Sequence, residues 1–492
     1  MSNEQVMRLH PITIPINFFN AIKTLLLPVA IFVFSTKLEF SLDPSDHENF
    51  YPTLFVLGGT VLFLCIVFIF AWIKWRKFIY WFEDGELRIE YGLFVKNKRY
   101  IPFERIQTLN YKEGILHRPF KLVRVDVETA GGSADAEVSL TAITREQASR
   151  IELEMKKAKQ EVVVAEDGTI EDVAEIHIEK EFIYQINTKE LILLATTSSS
   201  MGILFSAVAA TASQFNDFIP YERIYGEVQN IVRFGVLFII LIVLGAILLS
   251  WAVAILISYF VNYGFKLERT EEQLFLSKGL LEKKRTTLQM NRVQGIRIIE
   301  NPIRQLFGYC RVIIDSAGGS GDEKEDQVVL LPFIKKKNAI RILQELFPEY
   351  VWETTYTKVP KKSLIRYLLN PIYVPLIPVG FVSYYFYPYG MWSIVLIPLI
   401  LLRAYWQYKT AGFAVNHLQL TIVHRYFSKT TFVVQKNRIQ SMRVTQSYFA
   451  ERKDIASCHV HIMSSTTGFT AHLKHFDLQA ISQLFKWYQP NK

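Results

Sequence analysis

The chain is 492 residues long, half of them apolar, with a mean hydropathy of +0.17 and a formal net charge of +9. That length exceeds what one hydrophobic core serves, and so apolar a composition beside 21% charged residues argues against a uniformly polar soluble chain. Three scattered cysteines, Cys65, Cys310 and Cys458, argue against a disulfide framework and show no metal-ligand spacing.

The first segment, MSNEQVMRLHPITIP, lacks the basic region, short apolar core and small-residue site of a cleavable signal, so the first apolar run is expected to be retained. Six runs have the length and apolarity of spanning helices: 17–36, 52–73, 190–213, 234–261, 367–386 and 391–408. They fall in three pairs, each joined by a short loop and followed by a polar stretch. Lys74, Arg76 and Lys77 follow the second run, Lys266 and Arg269 the fourth, and Lys361, Lys362 and Arg366 precede the fifth. The loop within the first pair is acidic instead. Because Lys and Arg stay on the cytoplasmic side, a multi-pass cell-membrane protein is expected, with both termini and all three polar stretches cytoplasmic. The small residues crowding the third run read as helix packing, and apart from Glu190 at the very start of that run no Asp or Glu lies within any run.

The expected organisation is a transmembrane pair (1–77), a first domain (78–158), a linker (159–188), a second pair (189–262), a second domain (263–348), a linker (349–363), a third pair (364–409) and a third domain (410–492). The domains are copies of one another. Residues 84–132 align without gaps to 271–319, placing Leu87 on Leu274, Gly92 on Gly279, Arg124 on Arg311 and Ala130-Gly131-Gly132 on Ala317-Gly318-Gly319. The third copy runs from near Leu420 to Ser464-Ser465 and has diverged, with Arg425 where the others carry the first glycine.

Within each copy, period-two alternation predicts half-buried strands: Val125 and Val127 against Asp126 and Glu128, and Cys458 and Val460 against His459 and His461. Each copy closes in a helical stretch, 144–158, 337–347 or 477–488, with Thr144 and Asp477 as N-caps. In the second, Ile340, Leu343 and Phe347 share a face. The acidic segment 161–181 reads as a flexible linker.

The pattern Gly-Leu, then Arg-Ile-Gln, then Arg-Val-x-Val-x-Thr-Ala-Gly-Gly, carried behind paired spans, resembles the bacterial pleckstrin-homology (PH) domain of the second type. The resemblance covers nearly the whole chain. It implies an α+β integral membrane protein in which each pair of transmembrane helices is followed by a small antiparallel β-barrel of about seven strands, capped by a C-terminal helix. It implies no established chemistry.

The motif FERIQTLN at Phe103–Asn110 recurs as MNRVQGIR at Met290–Arg297 and KNRIQSMR at Lys436–Arg443. In an extended chain Arg105 and Gln107 share one face, as do Arg292 and Gln294, and Arg438 and Gln440. The aliphatic residue between them anchors the strand. A planar guanidinium beside an amide suits a carboxylate, a phosphate headgroup or a partner's backbone, or else fixes strand register within the domain. The chain beyond each Gln loses clean alternation, which points to a bulge or turn. Lys283, Lys284 and Arg285, on the turn after the first strand of the middle domain, form a second candidate, weighed against an ordinary positive flank.

Residues 409–492 hold eleven Lys and Arg against three Asp and Glu, so nearly all the net charge sits in the last domain. That favours anionic lipid or an acidic membrane-protein partner, and no nucleic-acid motif is present. His461 and His472 are placed to face one another across a hairpin, but strand parity turns His459 and His461 outward, so no metal is expected. Phosphate-cradling loops, nucleophile elbows and zinc motifs are missing, so the expectation is a non-enzymatic protein without cofactors. It is expected to bind lipid headgroups or partner proteins, with a role in envelope stress or antimicrobial resistance as a hypothesis. A transporter or channel component is the alternative; it would call for polar groups within the membrane and usually inverted repeats.

Overall fold

The computed structural model describes residues 6–35, 47–129, 138–167, 181–197, 236–316, 327–463 and 468–489. The first unit comprises β1 (Met7–Arg8), β2 (Ile79–Glu83), β3 (Glu86–Tyr91), β4 (Asn97–Pro102), β5 (Ile106–Glu113), β6 (Leu122–Thr129), β7 (Val138–Thr144) and the helix Arg145–Asp167. The second comprises β8 (Glu181–Gln185), β9 (Lys266–Arg269), β10 (Gln273–Lys278), β11 (Lys283–Gln289), β12 (Val293–Glu300), β13 (Tyr309–Ser316), β14 (Gln327–Lys335) and the helix Lys336–Leu346. The third comprises β15 (Thr357–Lys358), β16 (Gly412–Asn416), β17 (Gln419–Arg425), β18 (Lys429–Gln435), β19 (Ile439–Thr445), β20 (Ile455–Ile462), β21 (Phe469–Asp477) and the helix Leu478–Tyr488.

Each unit therefore has seven strands and a closing helix, but the strands do not close into barrels. They form four open sheets, and two of these belong to two units at once. The sheet β7-β6-β5-β11-β10-β9-β8 joins the second half of unit one to the first half of unit two. The sheet β14-β13-β12-β18-β17-β16-β15 joins units two and three in the same way. The expected barrel is corrected on this point. A bare strand edge must be paired or covered, and here the neighbouring unit does the pairing that closure would otherwise do.

The two joints are built alike. Across the first, Lys283 lies opposite Glu113, Lys284 opposite Lys112 and Arg285 opposite Tyr111. Across the second, Val433 lies opposite Ile296, Phe432 opposite Arg297 and Lys429 opposite Glu300. Shifting each residue to its equivalent in the other joint gives the same register.

Every unit keeps its own core. Tyr80, Leu87, Ile89, Val125, Val127 and Leu140 pack under Ala148 and Ile151 of the first closing helix. Burying each such side chain stabilises by about 1.5–3 kcal/mol. The second core takes in Val433, a residue of unit three. The closing helices are capped as expected. Gln147 N donates to Thr144 Oγ1 while Thr144 N donates to Gln147 Oε1, and Gln479 N donates to Asp477 Oδ1. In the second helix the buried face is Ala339, Ile342, Leu343 and Leu346; Ile340 is only half-buried. The first closing helix continues to Asp167, so the opening of the acidic stretch is helical rather than linker; residues 168–180 lie outside those described.

Among the described residues, three stretches are long and apolar enough to cross a membrane: Thr53–Lys77, Lys361–Tyr385 and Gly390–Thr410. The described parts of the runs at 17–36 and 234–261 are also helical, in Thr13–Ser35 and Val236–Asn262. Phe18 packs edge-on against Phe68 between the first two helices. Most of the run at 190–213 lies outside the described residues.

Candidate functional site

Residues 103–105, 290–292 and 436–438 form a single 3-10 turn in each unit, and the next strand begins at the aliphatic residue. Each of those strands then slips by one residue at the Gln, between Ile106 and Thr108, Val293 and Gly295, and Ile439 and Ser441. The expected bulge is therefore present, and it falls on Gln107, Gln294 and Gln440 themselves. This breaks the Arg–Gln pair expected on one strand face. In units two and three Arg sits on the turn and Gln on the bulge, so the two are not presented together.

What the motif does in units two and three is local and structural. Gln294 is buried and donates from Nε2 to the Arg292 carbonyl at 3.2 Å, holding the turn shut. Arg438 reaches back to the preceding unit, donating from Nη2 to the Asn291 carbonyl at 2.7 Å. Half-buried Arg292 likewise faces back to unit one, where its charge acts on Glu128. Gln440 and Arg105 are exposed, and the side chain of Gln107 lies outside those described.

Glu128 was not singled out in the sequence, yet it organises the first joint. Thr108 Oγ1 donates to one carboxyl oxygen at 2.6 Å and Asn110 Nδ2 to the other at 2.7 Å. Asn110 in turn accepts from the backbone N of Thr287, across the joint, at 3.1 Å. Burial pushes the Glu128 carboxyl up to about 7, opposed by the Thr108 hydroxyl, the Arg292 charge and the Asn110 amide. In unit two the same strand position holds Asp315, which accepts from Arg297 Nε at 2.7 Å, and the Arg297 guanidinium lies 4.2 Å over the Phe469 ring of unit three. The alternation that marked Asp126 and Glu128 as outward was right about parity. The neighbouring strands and unit cover that face as well, so both residues are buried. Asp126 meets Lys112 at 3.1 Å and Arg124 at 2.9 Å.

The basic triplet divides. Lys284 is buried in the joint opposite Lys112. Lys283 and Arg285 line a cleft of about 480 Å³ between units one and two, with Arg145, Lys266, Glu113 and Glu152. Arg285 lies 5.1 Å over the Phe275 ring, Arg145 pairs with Glu113 at 2.9 Å, and Tyr111 donates to Glu152 at 3.3 Å. With Glu268 included, four cations face three carboxylates, too near balance for a dedicated polyanion site.

Two loops of each unit lie against its own apolar helices. In the β3–β4 turn Phe94 is 89% exposed and its ring meets Phe70 of the helix 47–77, while Lys77 Nζ donates to the Leu93 carbonyl at 2.6 Å. In the β10–β11 turn Gly279 N and Leu280 N donate to Tyr263 and Phe260 at the end of the preceding apolar helix, leaving Leu281 exposed. Gly279 has φ +108, and a Cβ there would lie 1.9 Å from the Glu282 carbonyl oxygen, so the turn requires glycine. Unit three builds the same turn differently. Arg425 lies 4.3 Å over Trp406, Gln407 donates to the Tyr426 carbonyl, and Tyr426 and Phe427 are exposed.

The second loop joins the next two strands of each unit. Phe120 packs on His10 just before the helix 13–35, Arg304 Nε donates to Thr197 Oγ1 at 3.0 Å, and Arg366 Nη1 donates to Ser447 Oγ at 3.2 Å. These loops expose Ile115 and Phe120, Leu306 (83%) and Phe307, and Tyr448 and Phe449.

The histidines pair one step away from expectation. His459 meets His472 at 2.7 Å between Nδ1 atoms, and His461 meets Thr470. The hairpin register places position 461 opposite 470. Among the described residues, no group of three His, Cys, Asp or Glu is placed to hold a metal ion.

The bacterial PH domain family matches the chain three times, at residues 30–159, 228–349 and 372–492. UPF0699 transmembrane protein YdbT of Bacillus subtilis (strain 168) is 33% identical over 501 residues, which cover 99% of this chain and 98% of that protein. No solved structure matches the chain.

Proposed function

The chain belongs to the bacterial PH-domain family, and from that footing we propose that it is a non-enzymatic membrane scaffold whose three units act as one array lying against the bilayer. The spans number six, in three pairs, and the units hang on the cytoplasmic side together with both termini. The observation that carries this reading is the recurrence of two apolar loops per unit beside the ends of that unit's apolar helices. Exposed aromatic and aliphatic tips at that level suit the interfacial zone of a membrane. Exposed basic groups stand in the same loops: Arg118 and Lys121 in unit one, Arg452 and Lys453 in unit three. Near an anionic leaflet each such charge contributes about 1 kcal/mol of attraction. Lipid headgroups are thus the first ligand and membrane-protein partners the second, with a role in withstanding envelope stress.

The test uses the whole chain in nanodiscs of zwitterionic lipid, with and without a fraction of anionic lipid, at low and high salt. Protection of the loop amides around Phe94, Leu306 and Phe427 from hydrogen exchange should grow with anionic lipid and shrink with salt. Protection indifferent to both variables would remove headgroup binding from the proposal. Reporter fusions placing any unit outside the cell would remove the topology.

A further inference from the structure

The joint made twice within the chain has a third, unfilled half at its head. β4 stands at the end of its sheet, and among the described residues its outer edge pairs with nothing. It is the counterpart of β11 and β18, the strands through which units two and three attach to the tail strand of the unit before them. We infer that the outer edge of β4 receives an antiparallel strand from another protein, one that carries a carboxylate opposite Lys96.

Two features of this edge match the heads of the two occupied joints, and a third sets it apart from them. The first is a Lys at the same position: Lys283 stands opposite Glu113, and Lys429 meets Glu300 at 3.3 Å. Lys96 is the equivalent residue in unit one, with its side chain 65% exposed although it also contacts Glu90. The second is the turn arginine. Arg292 and Arg438 both reach back to the preceding unit, while Arg105, in the first of the three units, is exposed. The third is the strand itself, whose first four side chains are exposed where those of β11 and β18 are partly buried. A strand edge offers unspent N–H and C=O groups, so its partner gains a ladder of backbone bonds, and opposed charges fix the register.

A second copy of this chain is the wrong occupant. Its open tail is β19, at the end of the sheet β19-β20-β21. In the register of the two existing joints, that tail would set Gln446, which carries no charge, against Lys96. Gln446 occupies the position of Glu113 and Glu300, and His461 occupies that of Glu128 and Asp315. The third unit thus lacks the acidic half of the joint, while the first unit carries the basic half.

This inference stands apart from the lipid-facing loops, so its test is run in detergent micelles without anionic lipid. The probe is a synthetic peptide with the sequence of residues 291–301, the tail strand that unit three occupies within the chain. With Ile299→Cys in the peptide and Asn97→Cys in the full-length protein, a disulfide should form. A peptide with Ile298→Cys, one residue out of register, should cross-link several-fold less. The cysteine-free peptide should slow amide exchange over residues 97–102 by about tenfold. Glu300→Gln in the peptide, or Lys96→Gln in the protein, should reduce both effects. A peptide of residues 437–447 should produce neither. Unchanged exchange with every peptide would overturn the inference, as would equal protection by the 437–447 peptide. So would a disulfide-linked oligomer of a chain carrying both Asn97→Cys and Thr445→Cys, because the occupant would then be a second copy.

Discussion

Gly295 offers the sharpest test of the shared sheets. It lies in β12 at the bulge, and a Cβ there would come within 2.7 Å of Cε2 of Phe432 and 3.1 Å of Cδ1 of Ile462, both in unit three. Phe432 is fully buried, so its ring has little room to retreat. Restoring an ordinary contact requires a shift of roughly 0.7 Å, and overpacking of this kind costs about 1–3 kcal/mol. The cost falls on the joint between units two and three and on the core of unit three, to which Phe432 and Ile462 belong. In Gly295→Ala, amides of β12 and β18 should therefore exchange about 5- to 150-fold faster, while those of β2 and β3 in unit one should keep their rates. Adding Phe432→Leu removes the clashing ring edge. Its own cavity cost should then be smaller in the Gly295→Ala background than in the wild type. Wild-type exchange in Gly295→Ala, or a Phe432→Leu cost undiminished by it, would refute this account of the joint.

Glu128 makes the first joint pH-sensitive. Its ordinary value of 4.5 rises to about 7 on folding, so between those values the folded chain holds a proton that the unfolded chain has lost. Stability should fall as pH rises through that window, by on the order of 3 kcal/mol in all, and Glu128→Gln should flatten the slope in denaturant titrations. Arg438→Met removes the bond to the Asn291 carbonyl and should cost about 1 kcal/mol, read as faster exchange at Asn291 and Arg292. An environment-sensitive dye on Leu306→Cys should be quenched by brominated lipid in nanodiscs, and a dye on Leu418→Cys, exposed in the β16–β17 turn, should not.

The fold was legible wherever a signal is local. Alternation in VRVDVET and the repeated Arg-aliphatic-Gln spelled strands and copies, and Thr144 and Asp477 spelled caps. Pairing between units was not legible, because a strand looks the same in sequence whether its neighbour belongs to its own barrel or to the next unit. One trace was present: Gly295 inside a strand rich in Val and Ile marks a close approach by another residue. The site residues show the same divide. Arg292 and Arg438 were visible as a repeated chemical type, but their partners, Glu128 and the Asn291 carbonyl, come from other units and have no fixed spacing in the chain. Lys283 and Arg285 flank Lys284 in sequence, yet the pleat turns that neighbour into the joint while they line the cleft.

Strand sharing also has a cost in time. β5 leaves the ribosome about 170 residues before β11, the strand that covers its edge, and two apolar runs lie in between. At roughly 5–20 residues per second, that edge stays bare for about 10–30 seconds during synthesis. The nascent chain thus carries a sticky strand through its most vulnerable stage, and truncation at the end of unit one would leave it so permanently. Shortened versions of this protein should aggregate for that reason, even where each unit retains every residue of its own core.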